Sequence, residues 1–234
     1  MAERLTEIIE RLDWFVGSRG TGCYVYETPT LIDPTPGAPY GFGASFESPT
    51  QQSRKEIHTL IEVLLQVSPR NITLETGAGE WVGSHFLWQM LFDKIITIEI
   101  SKPIIDKISY ETSEKDIFII SDSRNALDLV KEKTDYVDVL FLDSKHLYEI
   151  TSSEYKLYAP LVKKGGLIIF HDAISPEFPE METFMKDFRE GKIDGKTHKM
   201  VVIDDSPSLK IGIAYMSTDD SELPVPSGNK WQYW

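Results

Sequence analysis

Three short segments carry most of the side chains able to do chemistry. In the first, Leu74-Glu75-Thr76-Gly77-Ala78-Gly79-Glu80-Trp81-Val82-Gly83-Ser84, two glycines stand one residue apart directly after an apolar run. In the second, Phe141-Leu142-Asp143-Ser144-Lys145-His146, an apolar run ends on an acid, and a histidine follows three residues later. In the third, Ile168-Ile169-Phe170-His171-Asp172, another such run ends on a histidine and an acid. Gly77 and Gly79 permit positive φ and close backbone approach, and a helix opening behind them aims backbone N–H groups at a ligand. A plain tight turn accounts for the same glycines. Glu99 closes the next apolar run, about 20 residues on, where a carboxylate can accept both hydroxyls of a ribose.

Two ligand classes use this arrangement, nicotinamide dinucleotides and S-adenosylmethionine. Glu75 helps to separate them. A carboxylate two residues before the first glycine repels a pyrophosphate and attracts the ammonium and sulfonium of S-adenosylmethionine. The spacing is also Gly-x-Gly-x-x-x-Gly rather than the dinucleotide Gly-x-Gly-x-x-Gly. S-adenosylmethionine is favoured on both grounds. A nicotinamide-dependent oxidoreductase, or a non-catalytic cofactor-binding protein, is the alternative. Glu75 as a solvated strand-end carboxylate is the plainer account.

The other two segments converge if their apolar runs are neighbouring parallel strands, because the carboxyl ends of such strands line the ligand crevice. Asp143, His171 and Asp172 would then face one ion. Carboxylate oxygen and imidazole nitrogen suit Mg²⁺, Mn²⁺ or Fe²⁺ better than a structural zinc. His146 can take a proton from a hydroxyl, and Lys145 is its neighbouring candidate. The plainer readings are that Asp172 caps a turn, His171 is a hydrogen-bonded strand-end residue and His146 lies on the surface. His58, His85 and His198 read as structural.

The elements that would position these groups follow from periodicity. Leu5, Ile8, Ile9, Leu12 and Phe15 make residues 2–16 an amphipathic helix. Residues 17–49 are rich in Gly, Pro and aromatics, among them Tyr24, Tyr26, Tyr40, Phe42 and Phe46; a loop this long is functional or disordered, and the aromatics favour function. From residue 50, helices near 50–67, 81–92, 102–112, 124–132, 147–162 and 180–190 alternate with the strands Ile72–Glu75, Ile95–Glu99, Ile117–Ile120, Val137–Leu142 and Leu167–Phe170. Short apolar strands alternating with helices predict a parallel sheet covered on both faces. Met200–Ile203 and Lys210–Met216 read as an antiparallel pair closing one edge. In the tail, 219–234, the tryptophans Trp231 and Trp234 are costly to leave in water and should pack on the domain or a partner.

Composition narrows the classes. Among 234 residues, 24 Lys and Arg against 37 Asp and Glu leave a net charge of −13. That argues against nucleic acid and anionic lipid as partners. The one cysteine, Cys23, can form neither an internal disulfide nor a thiolate zinc site. No apolar run is long enough to span a bilayer, and the charged N-terminus has no signal core. A reducing cytoplasm is the expected location.

Glu-x-Gly-x-Gly followed by a strand-end acid resembles motifs I and II of the class I S-adenosylmethionine-dependent methyltransferases. With Ser121-Asp122-Ser123, the Asp143 segment and Tyr158-Ala159-Pro160-Leu161-Val162-Lys163-Lys164-Gly165-Gly166 leading to His171-Asp172, the series is similar to the branch holding macrocin O-methyltransferase and cephalosporin-hydroxylase-like proteins. The likeness spans about residues 50–216. It implies an α/β, doubly wound, Rossmann-like fold, with a seven-stranded mostly parallel sheet and an antiparallel closing strand. It implies S-adenosylmethionine bound by Glu75, Gly77, Ala78, Gly79, Ser84, Glu99, Asp122, Ser123 and Asp143, with Ser84 on the methionine carboxylate and Asp122 on the adenine amine. The plainer role of Asp122 and Ser123 is capping of the following helix. The metal set implied is Asp143, His171 and Asp172; His171 departs from the branch, which has an acid there, and so favours a softer ion than Mg²⁺. His146 takes the place of the base. The reaction implied is O-methylation of a small molecule by a protein that can self-associate. Residues 1–49 would form the N-terminal helix and acceptor lid, 50–218 the cofactor-binding domain and 219–234 a tail.

Overall fold

The computed structural model describes residues 2–19, 24–25, 52–79, 83–108, 112–203, 212–218, 223–228 and 231–233. In chain order the elements are α1 (Ala2–Arg19), β1 (Tyr24–Val25), β2 (Gln52–Ser53), α2 (Arg54–Leu64), β3 (Ile72–Thr76), α3 (Gly83–Leu91), β4 (Lys94–Glu99), α4 (Lys102–Ile108) and β5 (Asp116–Ile120). They continue with α5 (Leu127–Lys131), β6 (Val137–Leu142), α6 (Tyr148–Tyr158), β7 (Val162–Phe170), α7 (Pro179–Arg189), β8 (Val201–Ile203), β9 (Ile213–Ser217) and β10 (Trp231–Tyr233). The aromatic segment expected to form a lid lies outside the described residues except for its helical start and β1. So does Trp234.

The main sheet has the order β10-β8-β9-β7-β6-β3-β4-β5. From β5 to β7 the pairings are parallel; β9 runs antiparallel to β7 and β8. The expected closing pair is therefore present. The sheet has eight strands rather than seven, because Trp231–Tyr233 pairs antiparallel with β8, Trp231 opposite Ile203 and Tyr233 opposite Val201. A strand of three residues leaves almost no period-2 signal in sequence. Trp231 meets the expectation for the terminal tryptophans by packing on the core.

Alternation along the strands divides the core into two layers. Val139 and Phe141 face one side, with Leu60, Ile61 and Leu64 of α2 and Leu87 and Trp88 of α3. Leu140 and Leu142 face the other, with Tyr155 and Tyr158 of α6 and Phe184 and Phe188 of α7. Several helices are shorter than their periodicity suggests. The one expected over 124–132 is a 3₁₀ turn, Ser123–Asn125, followed by α5. β7 begins at Val162, earlier than its apolar run, through the Gly165-Gly166 irregularity opposite β6. From β3 the chain moves outward to β4 and β5, then returns to place β6 on the other side of β3. The carboxyl ends of β3 and β6 thus flank the point where the winding reverses, the position at which open α/β sheets hold ligands.

Candidate active site

The glycine turn leaves β3 at this reversal. Gly77 has φ +82°, and a Cβ there would lie 2.4 Å from the Asp143 carbonyl oxygen and 2.7 Å from Ser144 Cα. Only glycine lets the turn lie against the backbone that follows β6. Gly79 also has positive φ, +63°, but a Cβ there would meet nothing within 4 Å among the described residues. The turn is tied down by Gly77 N–H donating to Ile98 O (2.9 Å) and Asp143 N–H donating to Thr76 O (3.0 Å). Glu99, at the end of β4, accepts from Ala78 N–H (3.0 Å) and Ser101 N–H (2.8 Å). Next to it the large apolar side chain of Ile100 is 71% exposed.

Glu75 is placed differently from the sequence expectation. Its position on β3 is in register with Thr97 on β4, so it points into the α2/α3 layer, where it is fully buried. Trp88 Nε1–H donates to its Oε1 (2.9 Å), Thr97 Oγ1 donates to its Oε2 (3.0 Å) and Ser84 also bonds to it. Burial pushes its carboxyl up, with His85, Ser84 and Trp88 opposing. Behind Thr97 the chain of contacts continues through His85, 3.1 Å from Thr97 and 3.2 Å from Asp116. Glu75 and Ser84 therefore support the turn from below. Period-2 alternation beside Thr73 was the signal that could have given this direction.

Beyond the turn, Asp143 follows β6, His171 and Asp172 follow β7, and His146 precedes α6. One donor atom from each lies within 4.8 Å of the others. His171 Nδ1 is 2.9 Å from Asp143 Oδ1 and 3.1 Å from Asp172 Oδ2. His146 Nε2 is 3.3 Å from Asp143 Oδ1 and 3.2 Å from Asp172 Oδ2. Burial opposes the Asp143 charge, yet the two imidazoles hold its carboxyl at about 2. Burial likewise opposes a charged His171, but Asp143 and Asp172 raise it well above the usual imidazole range.

His171 and Asp172 are each 2% exposed. Despite the short distances, both ring nitrogens of His171 and Asp172 Oδ2 lack a hydrogen bond of acceptable geometry to any described residue. Buried polar atoms are rarely left this way, and two imidazoles and two carboxylates form a donor set that fits a divalent cation. Asp172 has φ +52°, a strained backbone of the kind that clusters at functional sites. The His146 ring lies 4.3 Å from that of Phe178.

The remaining expected residues are engaged as follows. Asp122 accepts from Arg124 N–H (3.0 Å) and Nε–H (2.9 Å), which is the capping role. Ser123 Oγ donates to Glu154 Oε1 (2.5 Å). Lys145 is exposed. Glu154, in the middle of α6, was not singled out from sequence, where a helical glutamate reads as solvated.

A family model described as a methyltransferase domain matches residues 104–173, a span that contains all four cluster residues. No curated protein sequence matches the chain. An O-methyltransferase from Bacillus cereus, solved with SAH, is 13% identical with TM-score 0.54, and the alignment covers 90% of each chain. The N-methyltransferase NodS from Bradyrhizobium japonicum WM9, also with SAH, is 12% identical with TM-score 0.51, covering 70% of this chain and 86% of that one. MycE from the mycinamycin biosynthetic pathway, solved with Mg and SAH, is 17% identical with TM-score 0.50; the alignment covers 74% of this chain and only 52% of MycE. Fold and family model thus agree with the motifs, and the chain resembles the class I S-adenosylmethionine-dependent methyltransferases.

Proposed function

We propose that the protein transfers the methyl group of S-adenosylmethionine to an oxygen of a small molecule, with His146 as base. One observation supports this above the others: Gly77 packs directly on the Asp143 backbone, so a cofactor on the turn and an acceptor at the cluster would be neighbours. The turn amides and Glu99 would take the methionine and ribose portions, and exposed Ile100 would give the adenine an apolar face. Asp122, whose two carboxylate oxygens both accept from Arg124, would offer a remaining lone pair to the adenine amine while capping its turn. The net charge of −13 favours a small acceptor over a nucleic acid. The single cysteine fits a reducing cytoplasm. Residues 17–49 would supply the acceptor pocket.

Asp143, His171 and Asp172 would hold a divalent cation, whose charge would lower the pKa of an acceptor hydroxyl. The His171 nitrogen beside the two carboxylates favours Mn²⁺ or Fe²⁺ over Mg²⁺. His146 Nε2 accepts the hydroxyl proton, and Asp143 and Asp172 stabilise the imidazolium that forms. The oxygen attacks the methyl carbon in line, the C–S bond breaks and S-adenosylhomocysteine leaves. Positioning and fixed charge supply most of the acceleration.

Calorimetric titration with S-adenosylhomocysteine and, separately, with NADH tests the reading. Micromolar binding of S-adenosylhomocysteine supports it; binding of NADH alone refutes it. With an acceptor in hand, Asp143→Asn and His146→Ala should each lower turnover by at least ~100-fold, and EDTA should inhibit. Full function in the cell with both substitutions would mark a non-catalytic binding protein.

A further inference from the structure

Glu154 is only 1% exposed, although it lies in the middle of a surface helix, where a glutamate would normally reach water. Its carboxylate accepts three hydroxyl hydrogen bonds: Ser123 Oγ (2.5 Å) and Ser144 Oγ (2.6 Å) on Oε1, and Thr76 Oγ1 (3.2 Å) on Oε2. The three donors come from three different strand ends. Thr76 closes β3 and precedes Gly77, Ser123 follows Asp122 after β5, and Ser144 follows Asp143 after β6. Each stands next to a residue assigned above to the cofactor or the cluster. Burial pushes the Glu154 carboxyl up, and the three hydroxyls oppose that shift. One turn further along α6, Tyr158 donates its hydroxyl to Ser123 O, so the helix grips the same turn twice.

We propose that Glu154 is a positioning residue that sets the geometry of the cofactor crevice by pinning the ends of β3, β5 and β6 to α6. This rests on the methyltransferase reading above. A carboxylate is acceptor-only and has about four lone-pair sites, so one side chain can satisfy three hydroxyls at once. No neutral side chain does this: glutamine replaces one oxygen with a donor. Charge-assisted bonds of this length are among the stronger ones available. Glu154 is too deeply buried to touch the cofactor itself, and it acts through the backbone of the loops it holds.

The test compares wild type with Glu154→Gln, Thr76→Val and Ser144→Ala, reading S-adenosylhomocysteine affinity by calorimetry and exchange of the Gly77 and Ala78 amides by NMR. Glu154→Gln should weaken binding about tenfold and speed exchange of both amides, with a cooperative thermal transition retained. Adding Thr76→Val to Glu154→Gln should cost little more, since the amide nitrogen already replaces the oxygen that accepts from Thr76; Ser144→Ala should add its own cost, because the remaining oxygen still accepts from Ser144. Should Glu154→Gln unfold the protein, the two hydroxyl variants carry the same test: each should weaken binding, and the pair should be non-additive. Wild-type affinity in Glu154→Gln, or full additivity of Glu154→Gln with Thr76→Val, overturns the proposal while leaving the methyltransferase reading intact. A wild-type protein that binds no S-adenosylhomocysteine overturns both.

Discussion

Replacing Gly77 by alanine tests the contact that brings the glycine turn to the strand-end cluster. Gly79 provides the internal control. Both have positive φ, +82° and +63°, but a Cβ at Gly77 would meet the Asp143 carbonyl oxygen at 2.4 Å, whereas one at Gly79 would meet nothing within 4 Å among the described residues. A non-glycine residue in the left-handed region costs about 1–2 kcal/mol. Alanine recovers roughly 0.4–1 kcal/mol by stiffening the unfolded chain. Gly79→Ala should therefore destabilise by about 1 kcal/mol. At Gly77 the obstructing atoms are backbone and cannot rotate away, so an overpacking cost of about 1–3 kcal/mol adds to this. Gly77→Ala should lose about 2–4 kcal/mol. Urea unfolding, read as a midpoint shift at constant slope, measures both. Relief of the clash must also displace Asp143, so Mn²⁺ affinity should fall in Gly77→Ala and hold in Gly79→Ala. Equal stability of the two variants, within about 0.5 kcal/mol, would refute the close approach.

Mn²⁺ at one hundred times its dissociation constant should stabilise the protein by about 2.7 kcal/mol, a rise of about 5–10 °C in thermal midpoint for a chain of this size. His171→Ala or Asp172→Asn should abolish the rise and Lys145→Ala should preserve it, as scanning calorimetry would show. Trp88→Phe removes the indole donor 2.9 Å from Glu75 and leaves a buried oxygen short of a partner; a loss of about 1–3 kcal/mol is expected in urea unfolding. Burial would raise the Asp116 carboxyl, but His85 and the Ser113 amide and hydroxyl hold it at about 2, below its ordinary 3.8. Its contribution to stability is complete above the unfolded value and is lost as pH falls from 3.8 toward 2. Asp116→Asn should accordingly show a shallower acid-side loss than wild type in unfolding series between pH 5 and pH 2.

The central strands were legible because parallel strands buried on both faces read as unbroken apolar runs, as Val137–Leu142 does. Asp143, His171 and Asp172 were legible for a related reason: a polar residue ending such a run falls at the carboxyl edge of the sheet. β10 was not, since its pairing with β8 is a long-range contact of three residues. The direction of Glu75 does not follow from its adjacency to the turn: the strand places it on the same face as Thr73, under Trp88. Glu154 gave no local signal. Its meaning depends on three hydroxyls brought from residues 76, 123 and 144, and only the folded sheet brings them together.

The positive φ of Asp172, the only non-glycine example among the described residues, bears on how this position tolerates change. Left-handed backbone is open to Gly, Asn and Asp and closed to most longer side chains. Glutamate keeps the negative charge but not the backbone, whereas asparagine keeps the backbone and loses the charge. Saturation mutagenesis should therefore return asparagine and glycine as the well-folded survivors and glutamate as a poor one, a ranking opposite to that of a conventional similarity matrix. For anyone redesigning the pocket, Asp172→Asn is the exchange that removes one candidate ligand's charge without disturbing the chain that carries it.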